Sequence, residues 1–202
     1  MRRRPRPPAT SHAESSGDSV NWSAFILAAA VALTLDVSLM PIFEFAGTTP
    51  SLIGCLAAFV ALHAERRRAW WGCWILGVLL DLSSPVSVGG MIVFVPGPYA
   101  LGLTLGAAGV LSLRSEVMRR SMVAAASATM ILLVLASVAW IMAWTIRGWW
   151  PDGSPPWVGS SAGELWKRMM WCFVSSVAAF PVAWLLGRTF DQWGFPASRR
   201  HR

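Results

Sequence analysis

Apolar residues fill this chain in six runs, each closed by a short polar or proline-bearing break. The first run predicts a helix from about Trp22 to Ile42, ending near Pro41, followed by a loop over 43–50 with Gly47 and Pro50. A second helix is expected over Ser51–Ala64, stopping at Glu65-Arg66-Arg67-Arg68, and a third over Ala69–Leu82, closed by the turn Ser83-Ser84-Pro85. The fourth runs from about Gly90 to Leu113 with Pro96 and Pro98 as kink or break points, because proline has no N–H to give a helix. The fifth, Met122–Ile146, is the clearest; the sixth covers Leu165–Leu186. Between them, 147–163 reads as an interfacial loop rich in tryptophan and proline. Runs such as Phe25–Leu35 and Met130–Trp140 do not alternate, which argues against a β-barrel. The second and third helices are shorter than the ~20 residues a crossing needs. Tilting in a thinned bilayer, shielding by neighbours, or extension by polar ends would each accommodate them.

The predicted fold class is therefore an all-α membrane protein with six transmembrane helices. Residues 1–20 form a basic tail expected to be disordered, 21–190 the membrane domain, and 191–202 a second basic tail. Composition agrees. Of 202 residues, 55% are hydrophobic and only 13% charged, against roughly 25% charged in soluble domains. No room is left for a sizeable soluble core.

The net charge of +7 does not point to nucleic acid, because 16 of the 17 basic residues are arginines clustered between apolar runs. With six crossings, 14 basic residues fall on one side and 3 (Arg147, Lys167 and Arg168) on the other. The positive-inside rule then puts both termini in the cytoplasm, with membrane lipids as partners. Trp22, Trp70, Trp71 and Trp74 fall near the inner boundary, and Trp144, Trp149, Trp150, Trp157 and Trp166 near the outer one, as aromatic belts require. The basic start does not read as a signal peptide: the apolar run after it is too long and no Ala-x-Ala site closes it. Cys55, Cys73 and Cys172 show no metal-ligand spacing and read as small buried side chains.

Two carboxylates stand out. Asp81, in Gly77-Val78-Leu79-Leu80-Asp81-Leu82, costs about 2.5–3.5 kcal/mol to carry at a membrane helix centre. At 1.5 Å per residue Asp36 and Asp81 sit roughly 22 and 18 Å above the inner edge, at similar depth in the outer half. They would share a proton, bind a polar partner, line a polar pocket, or reach the outer headgroups and accept backbone or hydroxyl hydrogen bonds. Ala24, Ala28 and Ala32 share a face of the first helix, and Gly102 and Gly106 form a GxxxG on the fourth, spacings that let helix backbones approach closely. Gly89-Gly90 and Pro96-Gly97-Pro98-Tyr99 bracket a break in the fourth helix, to be buried in protein or to face water. Enzyme signatures are missing: no HExxH, no GxSG serine, no glycine-rich phosphate loop. His12 and His201 lie in the tails and His63 at a helix end. The reading is non-enzymatic, with no cofactor or metal, and no internal repeat of the transporter kind is visible.

Pro50-Ser51-Leu52, then Gly72 and Gly77 to Leu82, then Gly89-Gly90, then Pro98-Tyr99-Ala100-Leu101-Gly102 together resemble the MreD family of the bacterial rod-shape system. Ser51 stands where that family often has an acid, and Val78 interrupts its usual Gly-Leu. The resemblance implies a scaffold in the elongation complex that organises peptidoglycan synthesis, with MreC-like, MreB-like and RodA–penicillin-binding-protein-like partners. Asp81 would fix helices, with Gly77 and Gly89 as companions. The fold it implies is similar to that of the substrate-binding subunits of energy-coupling-factor vitamin transporters. That family is the alternative reading, and the Ala24-Ala28-Ala32 face resembles its docking motif.

Overall fold

The computed structural model of the chain describes residues 21–45, 47–88, 91–113, 121–149, 161–189 and 193, without the side chains of 86–88, 91–93 and 161. Both predicted tails (Trp193 apart), Gly89, Gly90 and most of the 147–163 loop lie outside the described residues.

Among the described residues six α-helices form a bundle: α1 Trp22–Ser38, α2 Leu52–His63, α3 Arg66–Ser83, α4 Pro98–Leu113, α5 Met122–Arg147 and α6 Ser161–Arg188. Each packs against its successor. The Asn21 N–H donates to the Trp193 carbonyl at 3.1 Å, so the start of α1 lies beside Trp193, a few residues after α6. The core is α2, buried at every position from Ile53 to Leu62 and packed against all five other helices. A helix apolar all round is one that other helices enclose, as they do here.

Four boundaries differ from the sequence expectation, α6 among them, which starts at Ser161 rather than Leu165. α1 stops at Ser38 rather than Ile42, and Met40–Phe43 tightens into a 3-10 helix, because Pro41 lacks the N–H that would continue the α pattern. α3 begins one turn earlier, taking in Arg66, Arg67 and Arg68, since arginine is a good helix former and Ala69 follows. The largest correction concerns residues 86–97. The helix expected from about Gly90 begins only at Pro98, and Met91–Val93 is instead a strand, β2, antiparallel to β1 Val86–Val88, with Val86 facing Val93 and Val88 facing Met91. β-branched residues on both sides of a two-residue Gly-Gly link form strands readily. Pro96 and Pro98 then keep the helix from starting before Pro98, which sits at its first position.

α5 and Ala162–Arg188 of α6 are long and apolar enough to cross a membrane, with mean hydropathy 2.3 and 1.8. They differ in cover: half of the α5 window is buried in protein, but only 17% of that of α6. Phe173, Val177, Trp184 and Leu185 point away from the bundle. α1, α2 and α4 are apolar but shorter. On the α4–α5 seam, a Cβ placed on Gly102 would come 2.5 Å from the Ala136 Cα, and one on Gly106 3.0 Å from the Leu132 Cα. The GxxxG is thus spent on packing inside the molecule.

Candidate functional site

Both carboxylates do the same job. Asp81, 4% exposed near the end of α3, accepts N–H bonds from Gly97 (2.8 Å), Tyr99 (3.0 Å) and Ala100 (3.1 Å), the opening of α4. Asp36, half-buried near the end of α1, accepts from Leu52 (2.6 Å), Ile53 (3.0 Å) and the Ser51 hydroxyl (3.4 Å), the opening of α2. The first N–H groups of a helix have no partner within it and carry the positive end of its dipole, so a carboxylate there is both bonded and electrostatically compensated. Local caps assist at α2, where Ser51 Oγ accepts from the Gly54 N–H at 3.1 Å. Gly97 has φ near +135°, a conformation open to glycine, and this lets its N–H join the Asp81 set.

The two arrangements repeat. Leu35-Asp36-Val37-Ser38 and Leu80-Asp81-Leu82-Ser83 share the pattern Leu-Asp-x-Ser. In each, the nearest amide bound lies 16 residues after the acid. In each, a short antiparallel link intervenes: the Phe45–Thr48 bridge in one and the β1–β2 hairpin in the other. The α1–α2 and α3–α4 junctions therefore share one arrangement, a carboxylate near the end of one helix accepting from the start of the next. No hydrogen bond joins Asp36 to Asp81 among the described residues; each serves its own helix.

Gly77 lies one turn before Asp81, against the main chain of α4. A Cβ there would fall 2.8 Å from the Ala100 N and the Tyr99 O, and closer still to the Ala100 Cα. Gly77, Asp81 and the segment Gly97–Ala100 thus form one joint clamping α3 to the head of α4. Ala24 and Ala28 are half-buried and Ala32 buried. These alanines line an apolar groove of about 440 Å³ between α1 and α6, floored by Leu56 and flanked by Pro181 and Leu185.

At the end of the bundle where the acids lie, a polar cavity of about 490 Å³ opens between α1, the segment 47–51, the end of α3, Tyr99 of α4 and α6. Its walls include Asp36, Thr48, Ser51, Glu164, Lys167 and Arg168. Arg168 organises it: Nε donates to Glu164 Oε1 at 3.0 Å, and an outer guanidinium nitrogen donates to the Tyr99 hydroxyl at 2.7 Å. The guanidinium stacks 3.5 Å above the Trp140 ring centroid, with Trp171 edge-on to Tyr99 at 6.0 Å. Such cation–π contacts contribute about 0.5–2 kcal/mol. Sequence reasoning missed this cluster. The available signals were the Glu164–Arg168 spacing of four and the chain's single tyrosine. Chemically the walls are already satisfied: α2 takes up Asp36, and Arg168 is divided among Glu164, Tyr99 and Trp140. Lys167, exposed at the rim, has no ion-pair partner among the described residues.

Compared with known proteins, the chain matches no protein-family model, no curated protein and no solved structure.

Proposed function

We propose that this chain is a six-helix inner-membrane scaffold of the rod-shape-determining kind, non-enzymatic, acting through helix faces presented to partner membrane proteins. The observation that carries this reading is the Gly77–Asp81 joint. Gly77 and Asp81, central to the MreD resemblance, are buried against the head of α4, and Asp81 accepts three main-chain N–H bonds, so the pair serves to build shape. Membrane residence is supported by the outward apolar face of α6, which water would not tolerate over 27 residues. Six crossings would leave both termini on one side, and the arginine distribution favours the cytoplasmic one. The elongation-complex proteins named by the resemblance are the partners proposed.

A second reading, a substrate-binding subunit of an energy-coupling-factor transporter, draws on the polar cavity and the alanine-lined groove. One experiment separates them. The tagged chain is purified from native membranes in mild detergent, and co-purifying proteins and small molecules are identified by mass spectrometry. Cell-wall synthesis proteins, lost in Asp81→Leu and kept in Asp81→Asn, support the scaffold. A stoichiometric vitamin with a transporter ATPase refutes it.

A further inference from the structure

The bundle end opposite the two carboxylates holds a face that the scaffold reading does not use. Arg66, Arg67, Trp70, Trp71 and Trp74 of α3 are all exposed. Residues 66, 70 and 74, like 67, 71 and 74, are spaced by three or four, which stacks them on one side of the helix. With Glu65 and with Thr104 of α4 they line an open, largely apolar cavity of about 850 Å³. The charge on it is unbalanced. Glu65 lies 3.6 Å from Arg68, whereas Arg66 and Arg67 have no ion-pair partner among the described residues. From Arg66 to Trp74 the face runs about 12 Å along the helix at 1.5 Å per residue. It is cationic at the interface and aromatic below.

We infer that this face binds one anionic phospholipid of the inner leaflet, its phosphate held by Arg66 and Arg67 and an acyl chain lying along Trp70 and Trp74 towards Thr104. Charge and apolar depth select this ligand together. A small soluble anion satisfies the arginines but leaves three indoles uncovered. A zwitterionic lipid covers the indoles but brings its own cation against two guanidinium groups. The inference rests on the membrane reading above, and the two fail differently.

The test is native mass spectrometry of the full chain in non-ionic detergent, titrated with phosphatidylglycerol or with phosphatidylcholine of the same acyl chains. The expected result is one phosphatidylglycerol retained at least tenfold more tightly than phosphatidylcholine. Arg66→Gln/Arg67→Gln abolishes the preference, and Arg66→Lys/Arg67→Lys, which keeps the charge, retains most of it. Arg199→Gln/Arg200→Gln, equal in charge removed, leaves it unchanged. Equal retention of the two lipids, or a preference that survives in Arg66→Gln/Arg67→Gln, overturns the site. Displacement by millimolar inorganic phosphate as effective as by phosphatidylglycerol also overturns it. Release of the wild-type chain from membranes by alkaline carbonate sinks the membrane reading itself.

Discussion

Replacing Asp81 tests the joint between α3 and α4 directly. In the native chain its two oxygens accept three main-chain N–H bonds, Oδ2 from Gly97 and Ala100 and Oδ1 from Tyr99. Hydrogen bonds to a charged group contribute about 1.5–3 kcal/mol each, so the lower figure over three bonds gives roughly 4.5 kcal/mol. Gly97 is only half-buried, and water takes over that bond when the carboxylate is gone. Asp81→Leu is therefore expected to destabilise the head of α4 by about 3 kcal/mol. Asp81→Asn keeps one acceptor oxygen and sets an amide donor against a donor N–H, so it loses about half as much, roughly 1.5 kcal/mol. Hydrogen exchange followed by mass spectrometry reads this locally. At 1.4 kcal/mol per tenfold, protection at Gly97, Tyr99 and Ala100 falls about 100-fold in the leucine variant and about tenfold in the asparagine variant. Asp36→Leu exposes Leu52 and Ile53 instead and leaves the α4 amides protected. Wild-type exchange at Tyr99 and Ala100 in Asp81→Leu would refute the capping argument.

Three further outcomes follow from the packing. Gly77→Ala, whose Cβ meets α4 main chain, is expected to destabilise by about 1–3 kcal/mol. Gly109→Ala, which meets only the Leu135 Cδ1 at 3.3 Å, is neutral or stabilising, and thermal melts in detergent rank the pair. Tyr99→Phe and Arg168→Met each weaken the cluster at the polar cavity, and their double-mutant cycle shows a coupling of about 1 kcal/mol, because both remove the 2.7 Å bond; additive effects contradict that bond. Cys55, Cys73 and Cys172 are free and buried, so reductant leaves the melting temperature unchanged and maleimide labels the native protein only after unfolding. Rapid labelling of the native chain refutes that packing.

Helix number and order were legible because each apolar run exceeds what a turn or strand needs. The first residues of α2 were legible too, since Ser51 is a good cap before Leu52. The β hairpin was misread although its signal was present: Val86, Val88, Ile92 and Val93 flank a Gly-Gly link, but the apolar run through Leu113 made the whole stretch look helical. The acids were legible as important and not as caps. Each bond from Asp36 or Asp81 spans at least 15 residues, beyond any local periodicity, and only the recurring Leu-Asp-x-Ser hints at it. The Arg168 cluster joins residues up to 69 apart, from α4, α5 and α6, so only folding brings it together.

The 16-residue interval between each acid and its first amide carries a consequence for biogenesis. Were a ribosome to deliver the chain into a membrane as proposed above, Asp36 would reach the far side of the bilayer before Leu52 and Ile53 had emerged, and Asp81 before Gly97. A lone leading helix would present a bare carboxylate to the insertion machinery, and the cost is relieved only when its successor arrives. Translocation would then proceed in couples, α1 with α2 and α3 with α4, and a nascent chain halted between the members of a couple should be held back or degraded.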